Sequence, residues 1–467
     1  MVLAIALPVL ASLLASLSSI DLAYHLRAGD EILATGSIPR ADAWTFTGEG
    51  LPWLDQQWGS QVILATVFRL AGWTGLALLR AALVGVIFGC LVLIARRQAW
   101  SWRNAALLTL AAFVVAATAL ALRPQLLGMA LFALVLLIVA DRDRHPTRLW
   151  AIPILVVLWA NVHGSFFLAP LILGLAWLED RAAGGRRAGP TIPVALVSAI
   201  AACLTPFGPG VWTYAIGLST NAEVTRRVTE WQPTTIRDGT GILFFLSVAA
   251  VTVLIARAGR TIPWPTLAWL GVFVAIGLYA QRGLAWWPLA AVVPVAGLLA
   301  TSAGHAISDP EPSTPTMMAR SNVILVAALL LAGVALLPVW RPVDPATQVP
   351  AGVLTDAPPR VTAALRDLTE PGDHVFNPQA WGSWFELAVP EIKVALDSRI
   401  EFFPVEVWDA YEAVSIGRDD WESRLASWNV AVVIVEDSEG PFAARLEAAG
   451  WERAYADEDG AIFARVP

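Results

Sequence analysis

Asp21 and His25 stand four residues apart in "DLAYHLRAGDEIL" (21–33), directly after "MVLAIALPVLASLLASLSSI", twenty residues without a charged side chain. On a helix, positions i and i+4 share a face. A carboxylate and an imidazole would then sit one turn apart, with Tyr24 beside them, where an apolar segment meets water. Such an acid can act as a general base or as a metal ligand; it can equally cap the following helix. Arg123 in "LALRPQLLGMAL" and Arg282 in "LYAQRGLAWWPLAAVVP" are each flanked by apolar runs. An arginine at membrane depth costs at least ~2.5 kcal/mol and marks an anion or a pathway, unless it snorkels to the headgroups. Two guanidiniums at one membrane face suit a phosphate or pyrophosphate. "LWANVHGSFFLAP" sets Asn161 and His163 at an interrupted helix, a feature tolerated at membrane depth chiefly where it lines a cavity. In "TEWQPTTIRDG", Glu230 and Trp231 either reach back over a site or form a polar surface loop.

The elements that must position these residues are membrane spans. The chain is 57% hydrophobic and 15% charged, with mean hydropathy +0.62, against roughly 25% charged for a soluble domain. Apolar runs predict about eleven spans, near 2–20, 74–95, 104–122, 125–140, 149–160, 165–178, 191–205, 241–256, 264–280, 284–302 and 321–339. The first reads as a retained span and not a cleaved signal sequence, because it lacks a basic start and many spans follow. The stretch 56–73 reads as a helix lying in the interface plane.

Connecting segments alternate in character. "ARRQAWSWR" (95–103), "DRDRHPTR" (141–148), "EDRAAGGRRAG" (179–189), "ARAGR" (256–260) and 301–320 all carry arginine, which assigns them to the cytoplasm. The outer face then receives 21–73, 123–125, 161–165, 206–240, 280–283 and everything beyond 340. Asp21, His25, Arg123, His163, Glu230 and Arg282 are thereby expected at one membrane level. A single lysine, Lys393, against thirty arginines reads as the codon bias of a GC-rich bacterial genome.

Residues 341–467 hold 10 basic and 23 acidic side chains, whereas the first 340 hold 21 and 15. An acidic, water-soluble domain thus follows a mildly basic membrane body, and phosphate repulsion argues against a nucleic-acid partner. Pro-rich 341–350 reads as a linker. Beyond it, "HVFN", "KVALDSR", "VAVVIVED" and "AIFARV" read as strands, with helices at "RVTAALRDL", 404–416, 420–428 and 441–449. The domain expected over 351–467 is α/β. Cys90 and Cys203 offer neither a disulfide framework nor metal-ligand spacing, and no Gly-rich nucleotide loop follows a predicted strand.

These motifs together resemble the GT-C superfamily of integral-membrane glycosyltransferases, which take sugar from a polyprenyl-phosphate or -pyrophosphate carrier on the outer face. The likeness covers most of the chain. It rests on the Asp–aromatic–His stretch after the first span, on "GSIPRADAWTFTGEGLPWLDQQW" (36–58), on the Arg-Pro-Gln stretch, on "LWANVHG" and on the Arg-then-Pro stretch 282–288. "DLAYHLR" is also similar to the Asp-Pro-Tyr-Tyr-His motif of archaeal oligosaccharyltransferase catalytic subunits, with Leu22 and Ala23 departing from it. That resemblance implies a role for Asp21 in binding a divalent metal, Mn²⁺ or Mg²⁺, with Asp42, Glu49 or Asp55 as further acidic ligands. "NPQAWGSWFEL" followed by "VALDSR" is similar to the Trp-Trp-Asp-Tyr-Gly loop that those enzymes use for the acceptor, without its central Asp. Trp381, Trp384, Asp397 and Arg399 are the acceptor candidates it implies, against a reading of both tryptophans as core.

The fold expected is a polytopic α-helical membrane protein of the GT-C kind with a C-terminal extracytoplasmic α/β domain, in a bacterial cytoplasmic membrane. The partners expected are the bilayer, a polyprenyl-phosphate-linked sugar and a glycan, lipid or protein acceptor. A transporter or flippase of a lipid-linked glycan, or a non-catalytic membrane scaffold, are the alternatives. A transporter usually shows an internal repeat and charges near the midplane; this chain shows no repeat and collects its polar residues at one face.

Overall fold

The computed structural model describes residues 1–97, 101–184, 189–258, 262–302, 315–418 and 420–465. Parts of four arginine-bearing connections, 98–100, 185–188, 259–260 and 303–314, lie outside the described residues. The chain divides into two units, Met1–Ala15 with Ala77–Leu337, and Ser16–Leu76 with Pro338–Pro467.

The first unit is helical. Its elements are α1 (Val2–Leu14), the second part of α3 (Trp58–Arg97), α4 (Trp102–Ala116), α5 (Pro124–Ala140), α6 (Ile152–Val162), α7 (Leu168–Ala182) and α8 (Thr191–Ala201). There follow α9 (Gly210–Thr220), α10 (Ala222–Arg227), α11 (Gly239–Ala258), α12 (Trp264–Tyr279), α13 (Trp287–Ser302) and α14 (Pro315–Ala335). A helix falls on every predicted apolar run. Among the described residues, three stretches are long and apolar enough to cross a membrane: Trp58–Arg97, Trp102–Ala119 and Gly239–Ala258. The others are shorter.

The predicted span 2–20 ends early, at Leu14, because Leu17 and Ser18 leave the helix as a strand, β1 (Leu17–Ser18). The last carbonyls of α1 are capped by buried Arg80, whose Nη2 donates to Ser12 O and to Ala15 O (2.9 Å), which explains an arginine inside an apolar run. Phe132 centres the interior, with Trp286, Phe273 and Trp159 at centroid distances of 5.2, 5.8 and 6.2 Å.

The second unit holds α2 (Ser19–Thr35), the first part of α3, which breaks at Gly72 (φ 54°), and the C-terminal residues. Its helices there are α15 (Pro359–Leu368), α16 (Gln379–Ala388), α17 (Val405–Ser415), α18 (Trp421–Ser427) and α19 (Pro441–Ala448). Its strands are β2 (Leu354–Thr355), β3 (His374–Phe376), β4 (Lys393–Val394), β5 (Val430–Val435), β6 (Trp451–Ala456) and β7 (Ala461–Arg465). β1 pairs with β2, and the five-stranded sheet runs β4-β3-β5-β7-β6. The β3 pairings are parallel and those of β7 antiparallel. β5, "VAVVIV", is central and buried on both faces, hence an unbroken β-branched run. β6 is an edge strand, with Glu452, Ala454 and Ala456 at its exposed positions.

α16 and β6 lie in stretches that carry no helix or strand expectation in the sequence. The early loop also enters this unit: Thr45 bridges to Val394, and Phe46 stacks on His374 at 4.7 Å, against the C-terminal core.

Candidate functional site

The first turn of α2 is built by Ser18, the N-cap, whose hydroxyl accepts from Ile20 N (3.4 Å). Asp21 lies in that first turn, where the helix dipole favours a carboxylate. Tyr24 and His25 follow on the same helix, with ring centroids 4.0 Å apart. His25 is buried, its Nδ1 3.4 Å from Gln61 Nε2. Gln61 also donates to Asp55 Oδ1 (2.7 Å). Gly29 lets α2 and α3 meet here: a Cβ on it would lie 2.0 Å from Gln61 O. Burial pushes the Asp55 carboxyl up to about 7, against the Gln61 hydrogen bond and the charge of Arg399.

The acceptor candidates lie inside the second unit. Trp384 is buried and donates to Thr362 Oγ1 (2.8 Å), and Trp381 is buried against Phe385. Arg399 is 2% exposed. Its Nε donates to Asp397 Oδ2 (2.7 Å) and its Nη2 to Asp42 Oδ1 (2.6 Å). The guanidinium carbon lies 4.7, 4.6 and 4.9 Å from the ring centroids of Trp44, Trp53 and Phe402. Buried Glu386 is 3.9 Å from Nη2, and burial with the neighbouring Asp397 charge holds its carboxyl well above the usual range. All four acceptor candidates are buried, and Arg399 fastens the early loop to the C-terminal residues through Asp42, Trp44 and Trp53.

Asp42 is therefore committed to Arg399, Asp55 to Gln61, and Glu49 to Lys393 Nζ (2.5 Å). Among the described residues, no group of three or more His, Cys, Asp or Glu side chains is gathered to hold a metal ion. The donors present do not make the ligand set that the resemblance implies.

The first unit gathers a different set. Arg123 is the N-cap of α5, with Pro124 at the first helical position. Both its terminal nitrogens hold the Glu230 carboxylate, at 2.9 and 2.8 Å. Arg282, in the 3₁₀ turn Gln281–Ala285, brings Nε to 3.4 Å from Glu230 Oε2 and stacks over Trp231 at 5.4 Å. That Nε is buried without a hydrogen-bond acceptor. Burial opposes the charge on Glu230, and the two arginines outweigh it, holding the carboxyl below its usual range.

Gln125 Nε2 donates to Arg282 O (3.3 Å), tying the start of α5 to the second arginine. His163 closes α6 in extended backbone, and its Nδ1 takes a hydrogen bond from Ser165 Oγ (2.7 Å), itself an acceptor for Trp159 Nε1 (3.1 Å). Gly128 accommodates this turn: a Cβ would lie 3.0 Å from Trp159 Nε1 and 3.3 Å from His163 Nδ1. Asn161 turns elsewhere, donating to Val157 O and Leu204 O. Sequence reasoning found both arginines and Glu230 but not their pairing. It named Gln125 only within the Arg-Pro-Gln stretch and missed Gly128 and Ser165, for which only adjacency to Arg123 and His163 was a signal.

No family model and no characterised sequence matches the chain. Solved structures do. The archaeal oligosaccharyltransferase AglB from Archaeoglobus fulgidus, in complex with an inhibitory peptide and a dolichol-phosphate, matches at TM-score 0.58 and 12% identity, over 92% of this chain and 68% of that one. The same organism's oligosaccharyltransferase with Zn and sulfate matches at 0.51 and 13%, over 92% and 67%. ArnT from Cupriavidus metallidurans, bound to undecaprenyl phosphate, matches at 0.53 and 15%, over 99% and 97%. The chain has the fold of the GT-C membrane glycosyltransferases, the class to which these neighbours belong and which its sequence resembles.

Proposed function

We propose that the protein is a multi-pass membrane glycosyltransferase that moves a sugar from a polyprenyl-phosphate-type lipid to an acceptor hydroxyl on a glycan, lipid or protein. In this reading it crosses a bacterial cytoplasmic membrane about eleven times, with its C-terminal residues outside. The observation that carries it is the convergence of Arg123 and Arg282 on one oxyanion, with a buried donor nitrogen left over. The neighbours bound to dolichol-phosphate and undecaprenyl phosphate support the same ligand chemistry.

As the bond from the sugar anomeric carbon to the phosphate oxygen breaks, the electron pair goes to the phosphate, and preorganised guanidiniums stabilise that charge. The acceptor oxygen forms the new bond to the anomeric carbon, and its proton passes to a general base, the role the sequence suggests for Asp21. One displacement with inversion needs no covalent enzyme intermediate. No step is routed through a metal, since the ligand set does not fit one.

The test is transfer of radiolabelled sugar from polyprenyl-phosphate donors in detergent, with and without Mn²⁺ or Mg²⁺. Asp21→Asn should lower the rate by about 10²–10⁴ while leaving lipid binding largely intact. Arg282→Ala should weaken both, by roughly 1.5–3 kcal/mol in binding, with His25 and Arg123 variants between. Full activity of Asp21→Asn would overturn the assignment of the base. Translocation without transfer by the wild type would favour the transporter.

A further inference from the structure

The arginine pair is already occupied by a carboxylate of its own chain. Glu230 meets Arg123 through two parallel hydrogen bonds, the geometry by which a guanidinium also takes a phosphate. Its side chain is 39% exposed, so it can leave without a buried route. The backbone need not move. Gln232 O accepts from Gln281 N (3.0 Å), and Thr234 N donates to Leu278 O (3.3 Å), pinning the chain just after Glu230. Trp231 keeps Arg282 in place by ring stacking whether or not the carboxylate is there. Rotation of one side chain would therefore expose two fixed guanidiniums, including the Nε that now lacks an acceptor.

We infer that Glu230 is a tethered competitor at the donor-phosphate site, a specificity-determining residue that admits a lipid phosphate and rejects lipid carboxylates. The inference rests on the proposed phosphate role of Arg123 and Arg282. A bilayer contains fatty acids, whose carboxylates would otherwise pair with arginines at headgroup level. A tethered group competes at an effective concentration of ~mM. A fatty-acid carboxylate offers the arginines nothing that Glu230 does not already supply, so it loses. A phosphate brings more acceptor oxygens and can satisfy the spare Nε as well, so it displaces the carboxylate.

The experiment measures binding of polyprenyl phosphate and of oleate to the full chain in nanodiscs, for wild type and Glu230→Gln. The wild type should bind the phosphate lipid and ignore oleate. Glu230→Gln should bind the phosphate lipid about tenfold more tightly and should acquire competition by oleate. Glu230→Asp, too short to hold Arg123 with both oxygens, should fall between, and it reads the same effect should the Gln variant fail to fold. Unchanged or weaker phosphate-lipid binding in both variants, or oleate competition already present in the wild type, would overturn the inference. Sugar transfer is followed in parallel. Normal transfer with unchanged lipid affinities sinks the competitor but keeps the glycosyltransferase. Tighter lipid binding without transfer by any form keeps the competitor and sinks the enzyme.

Discussion

Two arginine–carboxylate clusters, one in each unit, use the same chemistry to opposite ends. Around Arg399, two buried carboxylates accept hydrogen bonds, and three aromatic rings, buried Trp44 and half-buried Trp53 and Phe402, cover the buried guanidinium. Around Glu230, the carboxylate is partly exposed and one arginine nitrogen still lacks an acceptor. The first arrangement is closed: any ligand would have to break it. The second has an open side. Charge pairing alone does not mark a binding site, nor does a buried nitrogen without an acceptor, which Arg399 Nη1 shares with Arg282 Nε; exposure separates the two clusters.

The comparison breaks first at Arg399. Arg399→Met leaves Asp397, Asp42 and Glu386 crowded and without their cation, and removing one member of a buried ionic network costs about 3–5 kcal/mol. The expected result is loss of protected amides in β5 and β7 by hydrogen exchange on the full chain. Native-like protection would mean the cluster is not what holds these strands.

Asp55 gives the next effect. Its carboxyl is raised from 3.8 to about 7 by burial, so the folded form binds the proton more tightly than the unfolded one. Its contribution is full below the unfolded value and is lost as pH rises towards the folded one. The second unit should lose stability between those two values, by up to about 4 kcal/mol, and level off above. Asp55→Asn should flatten that part of the profile. A wild-type stability that rises over this window would contradict the burial argument.

The smallest effect sharpens the contrast. Arg123→Gln removes a partly exposed pair, which is typically worth at most about 1 kcal/mol. Amide protection in the first unit should barely change, while affinity for polyprenyl phosphate falls. A collapse comparable with that of Arg399→Met would make the Glu230 cluster structural.

Much of the secondary structure was legible because it is set locally. Apolar runs marked the helices, and "VAVVIVED" and "AIFARV" marked β5 and β7. "QAWGSWFELA" did not read as a helix, since Gly and aromatic residues have weak helical preference and only packing decides them. "WERAYA" did not read as a strand because the adjacent charges Glu452 and Arg453 and its two alanines break the apolar alternation, as an edge permits.

The linear sequence shows where polar side chains interrupt apolar runs, and so singled out Asp21, Arg123, His163 and Arg282. It could not determine what those side chains meet. Arg123 finds Glu230 across 107 residues, and Arg399 finds Asp42 across 357. Local propensity carries no information about such separations. They arise only when packing elements bring distant backbones within hydrogen-bond range, and burial then decides which cluster is closed and which is open.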